Sequence, residues 1–314
     1  MTMIYTCTLN PAIDLFIETE HLKKEVVNRT NDYDIQPNGK GVNVSFILKM
    51  LAVANKAIGI GGGFTNDYIE SALNEKGIET QFIKSAGITR INVFTRVVDR
   101  DEEYKLVNKG PHVDSKQIDA LLNLIGCLKR DDMLVVSGSF ADGIPESIII
   151  DIAKLSNQIG FKLVIDTSYQ AVMETLQYQP FLLKPNDEEL MQWFNVIGPL
   201  SDTQLIQYAQ KLVEQGAQNV LLSLGAKGAA FINREQVLKG NAAVGKVVNT
   251  ACSGDTMLGT FLAGMVQAKP LAENLKYSIA AASSTAFSAG LTDFTDVATL
   301  QEQIKVTEIT LEDQ

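Results

Sequence analysis

The sequence of 314 residues contains little cysteine and histidine. Its three cysteines (Cys7, Cys127 and Cys252) are far apart and odd in number, and its two histidines are His21 and His112. These counts and spacings exclude a disulfide framework, a CxxC site and a metal site based on histidine pairs. We therefore expect a protein of a reducing compartment, the cytoplasm.

Basic charge and long apolar runs are also scarce. Lys and Arg total 27 against 37 Asp and Glu, which gives a net charge of −10 at pH 7. A nucleic-acid partner is not expected, because such binding requires a basic stripe. No apolar run of about eighteen residues is present, so no membrane span or membrane partner is expected.

Short apolar segments alternate with amphipathic ones over most of the chain. This alternation predicts an α/β fold with a mostly parallel sheet and helices on both of its faces. Two regions, about 12–36 and 88–110, break the alternation, since they show strands with polar faces and no helix between them. We expect them to form a small separate sheet inserted in a single domain that spans residues 1–314. The last third is predicted to be helical, at Thr256–Ala268, Leu271–Ala289 and Val297–Val306.

The stretch from Asn249 to Asp255 carries the clearest chemical signal. Small residues precede an apolar helical pattern, so backbone N–H groups at a helix start are open to an anion. Asp255 lies at the same point, where a carboxylate can accept a proton from a hydroxyl. The alternative for Asp255 is an ordinary helix N-cap. The glycines at 59–63 do not match the dinucleotide spacing, because Phe64 stands where the last glycine should be.

Seven motifs in order resemble the ribokinase-like (phosphofructokinase B) carbohydrate kinases, in the 1-phosphofructokinase and tagatose-6-phosphate kinase branch. They begin at Thr8, Asn38, Thr89, Ser137, Lys184, Ser223 and Asn249. The resemblance covers nearly the whole chain. It implies a Rossmann-like core, with the two irregular regions forming a small β-sheet lid. It also implies transfer of the ATP γ-phosphoryl group to a sugar phosphate with Mg²⁺, and a monovalent cation beside the anion-binding loop.

The resemblance implies that Asp255 is the general base and that the N–H groups from Ala251 to Gly254 form an anion hole. Cys252 and Ser253 stand where the family usually has Gly and Ala. Because Cys has no free access to positive φ, strain is expected if the loop needs that conformation. Cys252 is either a small packing residue or, beside a helix start, an oxidant-sensitive thiol.

The substrate and nucleotide residues are likewise implied by the resemblance. Sugar-phosphate contacts are expected from Asp14, Asn38, Gly39, Lys40, Asn43, Arg90 and Ser139. Asn38 departs from the usual Gly, and Tyr169 from the last Gly of Asp-Thr-Ser-Gly. Nucleotide contacts are expected from Lys184, Asn186, Ser223, Gly225, Gly228 and Asn249. Asn186 and Glu189 are expected to hold Mg²⁺ through water, although the same spacing also suits a capping box.

The expected substrate is a ketohexose phosphate: fructose 1-phosphate first, then tagatose 6-phosphate, then fructose 6-phosphate. Two alternatives remain, a free-sugar or nucleoside kinase and a non-catalytic sugar-phosphate sensor. The lid is expected to present an exposed edge and an apolar face with Ile17 and Phe94. A homodimer through the lid would cover that face.

Overall fold

A ten-stranded sheet forms the centre of the computed structural model, which describes residues 2–310. Strands are numbered along the whole chain, and those of this sheet are β1 (Ile4–Thr8), β4 (Asn55–Gly61), β5 (Glu79–Lys84), β8 (Met133–Ser137), β9 (Lys162–Asp166), β10 (Leu182–Leu183), β11 (Asn219–Ser223), β12 (Ala229–Asn233), β13 (Val237–Gly240) and β14 (Val306–Glu308). Their spatial order is β14-β13-β12-β11-β10-β9-β8-β1-β4-β5. The pairs from β11 to β5 are parallel, and β12 to β14 add an antiparallel edge. The predicted mostly parallel sheet is confirmed.

Helices cover both faces of this sheet. They are α1 (Lys40–Met50), α2 (Gly63–Glu75), α3 (Ser115–Ile125), α4 (Ile148–Ile159), α5 (Val172–Thr175), α6 (Asp187–Trp193), α7 (Asp202–Glu214), α8 (Ser253–Val266), α9 (Leu271–Ala286) and α10 (Val297–Glu302). In β8, Leu134 and Val136 belong to the core shared with α3, α4 and α7, whereas Met133 and Val135 belong to the core shared with α1, α8 and α9. Burial on both faces explains why β8 is apolar over four consecutive residues, Met133 to Val136, instead of alternating. None of the helices in residues 2–310 is long and apolar enough to cross a bilayer.

A four-stranded sheet lies apart from the central one. It consists of β2 (Ala12–Thr19), β3 (Asp32–Asn38), β6 (Arg90–Val97) and β7 (Glu102–Leu106), in the order β3-β2-β6-β7. These strands come from the two regions that interrupt the alternation in the sequence. Since β2 continues from the end of β1 and β3 leads into α1, the sheet is held beside the carboxyl edge of the central sheet.

Two local predictions are wrong. The predicted helix Val297–Val306 ends at Glu302, and Val306 instead begins β14, which pairs with β13. Ile17 and Phe94 do not share a face of the small sheet. Phe94 pairs with Phe16 and Ile17 pairs with Thr95, so the alternation of side chains along a strand places them on opposite faces.

Candidate active site

The candidate site lies where the carboxyl ends of the central strands meet the first turns of α1 and α8. Asp166 ends β9, and Lys184 directly follows β10. Lys40 is the first residue of α1, and Asp255 lies in the first turn of α8. In open α/β sheets this edge is where ligands bind.

Asp255 is almost fully buried, with 5% of its surface exposed. Asn43 donates its Nδ2–H to Oδ2 of Asp255 at 2.8 Å. Burial, reinforced by the charge of Asp166, raises the pKa of Asp255 to about 6, while Lys40, the Asn43 hydrogen bond and Lys184 act in the opposite direction. A carboxylate with this pKa is ionised at neutral pH and still basic enough to take a proton.

Asp166 connects two lysines from distant parts of the chain. Its Oδ1 accepts a hydrogen bond from Lys40 Nζ at 3.3 Å and forms an ion pair with Lys184 Nζ at 3.0 Å, and the Asp166 side chain is fully buried. The charge of Asp166 is the main cause of the raised pKa of Lys40. Lys184 Nζ also lies 3.4 Å from the point that a Cβ on Gly254 would occupy, so it reaches the start of α8. Sequence reasoning missed Asp166, although an acid ending a buried strand was a usable signal.

Some N–H groups of the predicted anion hole, Ala251 to Gly254, already have hydrogen-bond acceptors in the protein. The Ala251 N–H donates to Oδ1 of Asn249 at 3.0 Å, and the Ser253 N–H donates to the Thr250 carbonyl at 3.4 Å. Ala251 is therefore already satisfied, and the open N–H groups for an anion belong to the first turn of α8, which includes Gly254.

Cys252 adopts φ 64°, in the left-handed region that favours glycine. The expected strain in this loop is therefore present. Burial, followed by the charges of Asp255 and Asp14, raises the pKa of its thiol to about 12. The thiol is protonated at neutral pH, which favours the packing role over the oxidant-sensitive one.

Asp14, on β2, is held by amides from two other strands. Asn92 donates to its Oδ1 at 2.8 Å, and the Asn38 amide donates to its Oδ2. Asn38 Oδ1 in turn accepts from Asn43 Nδ2 at 2.9 Å. The structure thus brings the predicted residues Asp14, Asn38 and Asn43 together with Asp255.

Arg90 and Ser139 meet at Asn10, which was not predicted. Arg90 Nη2 donates to the Asn10 carbonyl at 3.1 Å, and Asn10 Nδ2 donates to Ser139 Oγ at 3.3 Å. Burial lowers the pKa of Arg90, and the charge of Asp14 opposes the change. Tyr169 holds the backbone next to Ser139, because its hydroxyl accepts a hydrogen bond from the Phe140 N–H at 2.8 Å.

A cavity of about 680 Å³ joins the small sheet to the core. Asp14, Asn38, Asn43, Cys252 and Asn249 contribute to its wall. It extends along the small sheet to the stacked rings of Phe16 and Phe94, whose centroids are 5.1 Å apart. Asn249, expected to contact the nucleotide, therefore lies in the same cavity wall as residues expected to contact the sugar phosphate.

Asn186 and Glu189 form the capping box that the sequence allowed. Asn186 Oδ1 accepts from the Glu189 N–H at 2.7 Å, and Glu189 Oε2 accepts from the Asn186 N–H at 2.9 Å. Glu189 also contributes to the raised pKa of Lys40, which places its charge within electrostatic range of the lysine pair.

The turn after β11 supplies the other predicted nucleotide residues. Ser223 ends β11 and bridges to Asn186. Gly225 and Gly228 adopt φ 56° and 99°, so the turn into β12 needs residues free to take positive φ. A Cβ on Gly225 would meet nothing within 4 Å, whereas one on Gly228 would strike the backbone of Gly240.

Comparisons with known proteins identify the family of the chain. The model of the pfkB family carbohydrate kinases matches residues 6–297. The chain is 42% identical to D-tagatose-1-phosphate kinase of Bacillus licheniformis, over 98% of this chain and 100% of the relative. It is 37% identical to 1-phosphofructokinase of Bacillus subtilis, again over 98% and 100%. Phosphofructokinase-2 from Escherichia coli, in a structure with potassium, superposes with a TM-score of 0.88 at 25% identity, covering 96% of this chain and 99% of that one.

Fold and site together define a sugar-phosphate kinase. The chain belongs to the pfkB family of carbohydrate kinases, with the ribokinase-like fold that its motifs indicated. Phosphorylation of a ketohexose phosphate is the activity shared with its relatives.

Proposed function

We propose that this protein transfers the γ-phosphoryl group of ATP to the 6-hydroxyl of a ketohexose 1-phosphate. The observation that carries this is the buried Asp255, whose pKa of about 6 suits a base, at a helix start faced by Lys184. Phosphoryl transfer depends mainly on positioning and charge stabilisation, and this arrangement offers both.

The relatives support a 1-phosphate substrate. The names of both the Bacillus licheniformis and the Bacillus subtilis relative specify a ketohexose 1-phosphate. Fructose 1-phosphate, the first choice from the sequence, stays in this set, and D-tagatose 1-phosphate joins it ahead of tagatose 6-phosphate. These two sugars differ only in configuration at carbon 4, so the side chains that contact that hydroxyl decide between them.

The proposed mechanism uses one proton transfer. Asp14 and Asn43 orient the sugar hydroxyls, and Arg90 pairs with the phosphate already on the sugar. As the 6-oxygen forms its bond to the γ-phosphorus, its proton passes to Asp255, and the bond from that phosphorus to the ADP oxygen breaks. Lys184 and the N–H groups of the first turn of α8 stabilise the charge on the transferring oxygens.

Asn186 and Glu189 fit a magnesium ion held through water. Mg²⁺ is usually bound by one or two carboxylates, several waters and substrate phosphates. Within residues 2–310, no group of three or more His, Cys, Asp or Glu side chains is arranged to hold a metal. The capping box uses one oxygen of Glu189 and leaves Oε1 for a metal-bound water. When bound with ATP, Mg²⁺ supplies charge neutralisation of the phosphates. The Escherichia coli phosphofructokinase-2 structure in complex with potassium supports use of a monovalent cation, and the resemblance implies that the cation lies beside the loop before α8.

A homodimer through the small sheet is part of this proposal. One face of that sheet carries Leu15 and Ile17 on β2, with their paired neighbours Ile35, Tyr33, Val93, Thr95, Leu106 and Tyr104. Ile35, Tyr33, Leu106 and Tyr104 are exposed by 42–65%. A contiguous apolar face of this kind is usually covered by a partner.

An ADP-release assay with MgATP tests the function. The substrates are fructose 1-phosphate, D-tagatose 1-phosphate, tagatose 6-phosphate, fructose 6-phosphate, fructose and ribose, compared by kcat/KM. We expect the highest value for one of the 1-phosphates. Asp255→Asn should lower kcat by roughly 10²- to 10⁴-fold with little change in sugar-phosphate binding. Binding without turnover for the unaltered protein would contradict the kinase assignment and favour the sensor.

A further inference from the structure

Two residues that stand where the family usually has glycine, Cys252 and Asn38, meet on one amide of the site. Cys252 holds a left-handed conformation at the start of α8, and Asn38 ends β3 just before α1. Asn43 Nδ2 lies 2.9 Å from Asn38 Oδ1 and 3.2 Å from Cys252 Sγ. The same nitrogen donates to Asp255 Oδ2 at 2.8 Å.

The Asn38 amide has a single orientation that satisfies its neighbours. Its Oδ1 faces two donors, the Gly39 N–H and Asn43 Nδ2. Its Nδ2 faces the carboxylate of Asp14. Reversing the amide would set its oxygen against that carboxylate and its NH₂ group against the two donors, so the observed orientation is fixed.

This fixed amide determines how Asn43 is oriented. Asn43 has two N–H bonds, and one is directed to Asp255 while Asn38 and Cys252 accept the other. Without the Asn38 acceptor, only the weakly accepting sulfur of Cys252 would hold that second N–H. The chain of contacts continues through Asp14 to Asn92 on the lid strand β6, so it joins the sugar side of the site to the base.

We propose that Asn38 is a positioning residue that, together with Cys252, holds the Asn43 amide directed at Asp255 and links the base to the sugar-binding Asp14. This inference rests on the proposed kinase function for its kinetic consequences only. The linkage itself is a property of the substrate-free protein.

The charged groups around Asp255 stay in place when the Asn38 amide is removed. They are Lys40 from α1, Asp166 from β9 and Lys184 after β10, with Asp14 beyond the uncharged thiol of Cys252. Asn38 is uncharged, so its removal leaves all these charges in place. What is lost is the aligned Asn43 hydrogen bond, which stabilises the ionised carboxylate of Asp255.

The test compares Asn38→Ala, Asn38→Gly, Cys252→Gly and the double variant Asn38→Gly/Cys252→Gly. Alanine and glycine both remove the amide, but only glycine adds backbone freedom, so equal effects assign the change to the amide. In the substrate-free protein, the titration of Asp255 is followed by infrared spectroscopy of its carboxyl band, with Asp255→Asn as the reference. We expect both Asn38 variants to raise the titration midpoint by about half a pH unit or more.

Kinetics provide the second readout. With the preferred sugar phosphate, both Asn38 variants should lose roughly 3- to 30-fold in kcat/KM, partly through a higher KM because Asp14 is no longer held. In both variants the acidic side of the pH profile of kcat/KM should move to higher pH. The loss in the double variant should differ from the product of the two single losses, because both residues act on Asn43. An unchanged infrared midpoint in both Asn38 variants, or strictly multiplicative losses, would overturn the proposal. If the unaltered protein turned over no substrate, the kinase assignment would fail while the infrared midpoint still decided the linkage.

Discussion

Replacing Asp166 by Asn should lower the pKa of Asp255. Among the charges around Asp255, that of Asp166 raises its pKa most, and only burial has a larger effect. Asp166 also pairs with Lys40 and Lys184, whose ammonium groups favour the ionised form of Asp255 once their partner is neutral. Asn keeps the size of the side chain and one acceptor oxygen, so the variant removes charge with little change in shape.

The expected shift is about one pH unit. The pKa of about 6 lies about two units above the ordinary value of 3.8, and Asp166 is the largest cause of this rise after burial. Removing the charge of Asp166 is therefore expected to take away about one of these two units, or about 1.4 kcal/mol. The direct loss of repulsion and the freed lysine charges act in the same direction.

The assay is the pH dependence of kcat/KM between pH 4.5 and 8. For the unaltered protein, a base with a pKa of about 6 predicts a value at pH 5 about tenfold below the plateau. In Asp166→Asn the limb should move to about pH 5, whatever the height of its plateau. Asp132→Asn is the matched control, because Asp132 is also buried but precedes β8 at the opposite edge of the sheet, and its limb should stay at about 6. A limb that stays in place or rises in Asp166→Asn would refute this account of the site.

Three further variants test other parts of the site. Arg90→Met should raise the KM for the sugar phosphate by roughly 10- to 100-fold, because a charge-assisted contact is lost, and should leave the KM for fructose unchanged. Arg96→Met, on the same strand, is the control. Equal effects of Arg90→Met on the two sugars would contradict a phosphate contact. Cys252→Gly should raise Tm by about 2–3 °C, because relief of the left-handed conformation is worth about 1 kcal/mol; a lower Tm in calorimetry would refute strain there. Ile35→Asp should shift sedimentation towards monomer, whereas Ile197→Asp, at a fully exposed isoleucine, should not; a monomeric unaltered protein would rule out the dimer.

The central sheet could be predicted from sequence because its strands are buried on both faces. Each of β1, β4, β8, β9 and β11 contains a short buried segment rich in apolar residues, and this property does not depend on which strand lies beside it. Strand β14 could not be found in this way. Only three residues long and mostly exposed, it forms because β13 offers an edge to pair with.

Local motifs pointed to Asp255 as the proposed base but not to the residues that surround it. Asp255 lies at a helix start that can be recognised within eight residues. Its environment depends on Lys40 and Asp166, which are 126 residues apart, and on the Asn43 amide, 212 residues away. Such pairs become visible only when the topology brings the carboxyl ends of β1, β9 and β10 to one edge.

The charges at this edge are balanced in a way that matters for the chemistry. With Asp255 ionised, the two carboxylates of Asp255 and Asp166 offset the two ammonium groups of Lys40 and Lys184. In the proposed reaction, Asp255 takes the substrate proton, and this group of four then gains one positive charge. That gain would occur in the same step in which negative charge is redistributed between the attacking oxygen and the transferring phosphoryl group. Lys184 Nζ lies 3.4 Å from the point that a Cβ on Gly254 would occupy, in the first turn of α8 proposed to hold that group. Proton uptake by the base therefore strengthens the electrostatic stabilisation that phosphoryl transfer needs.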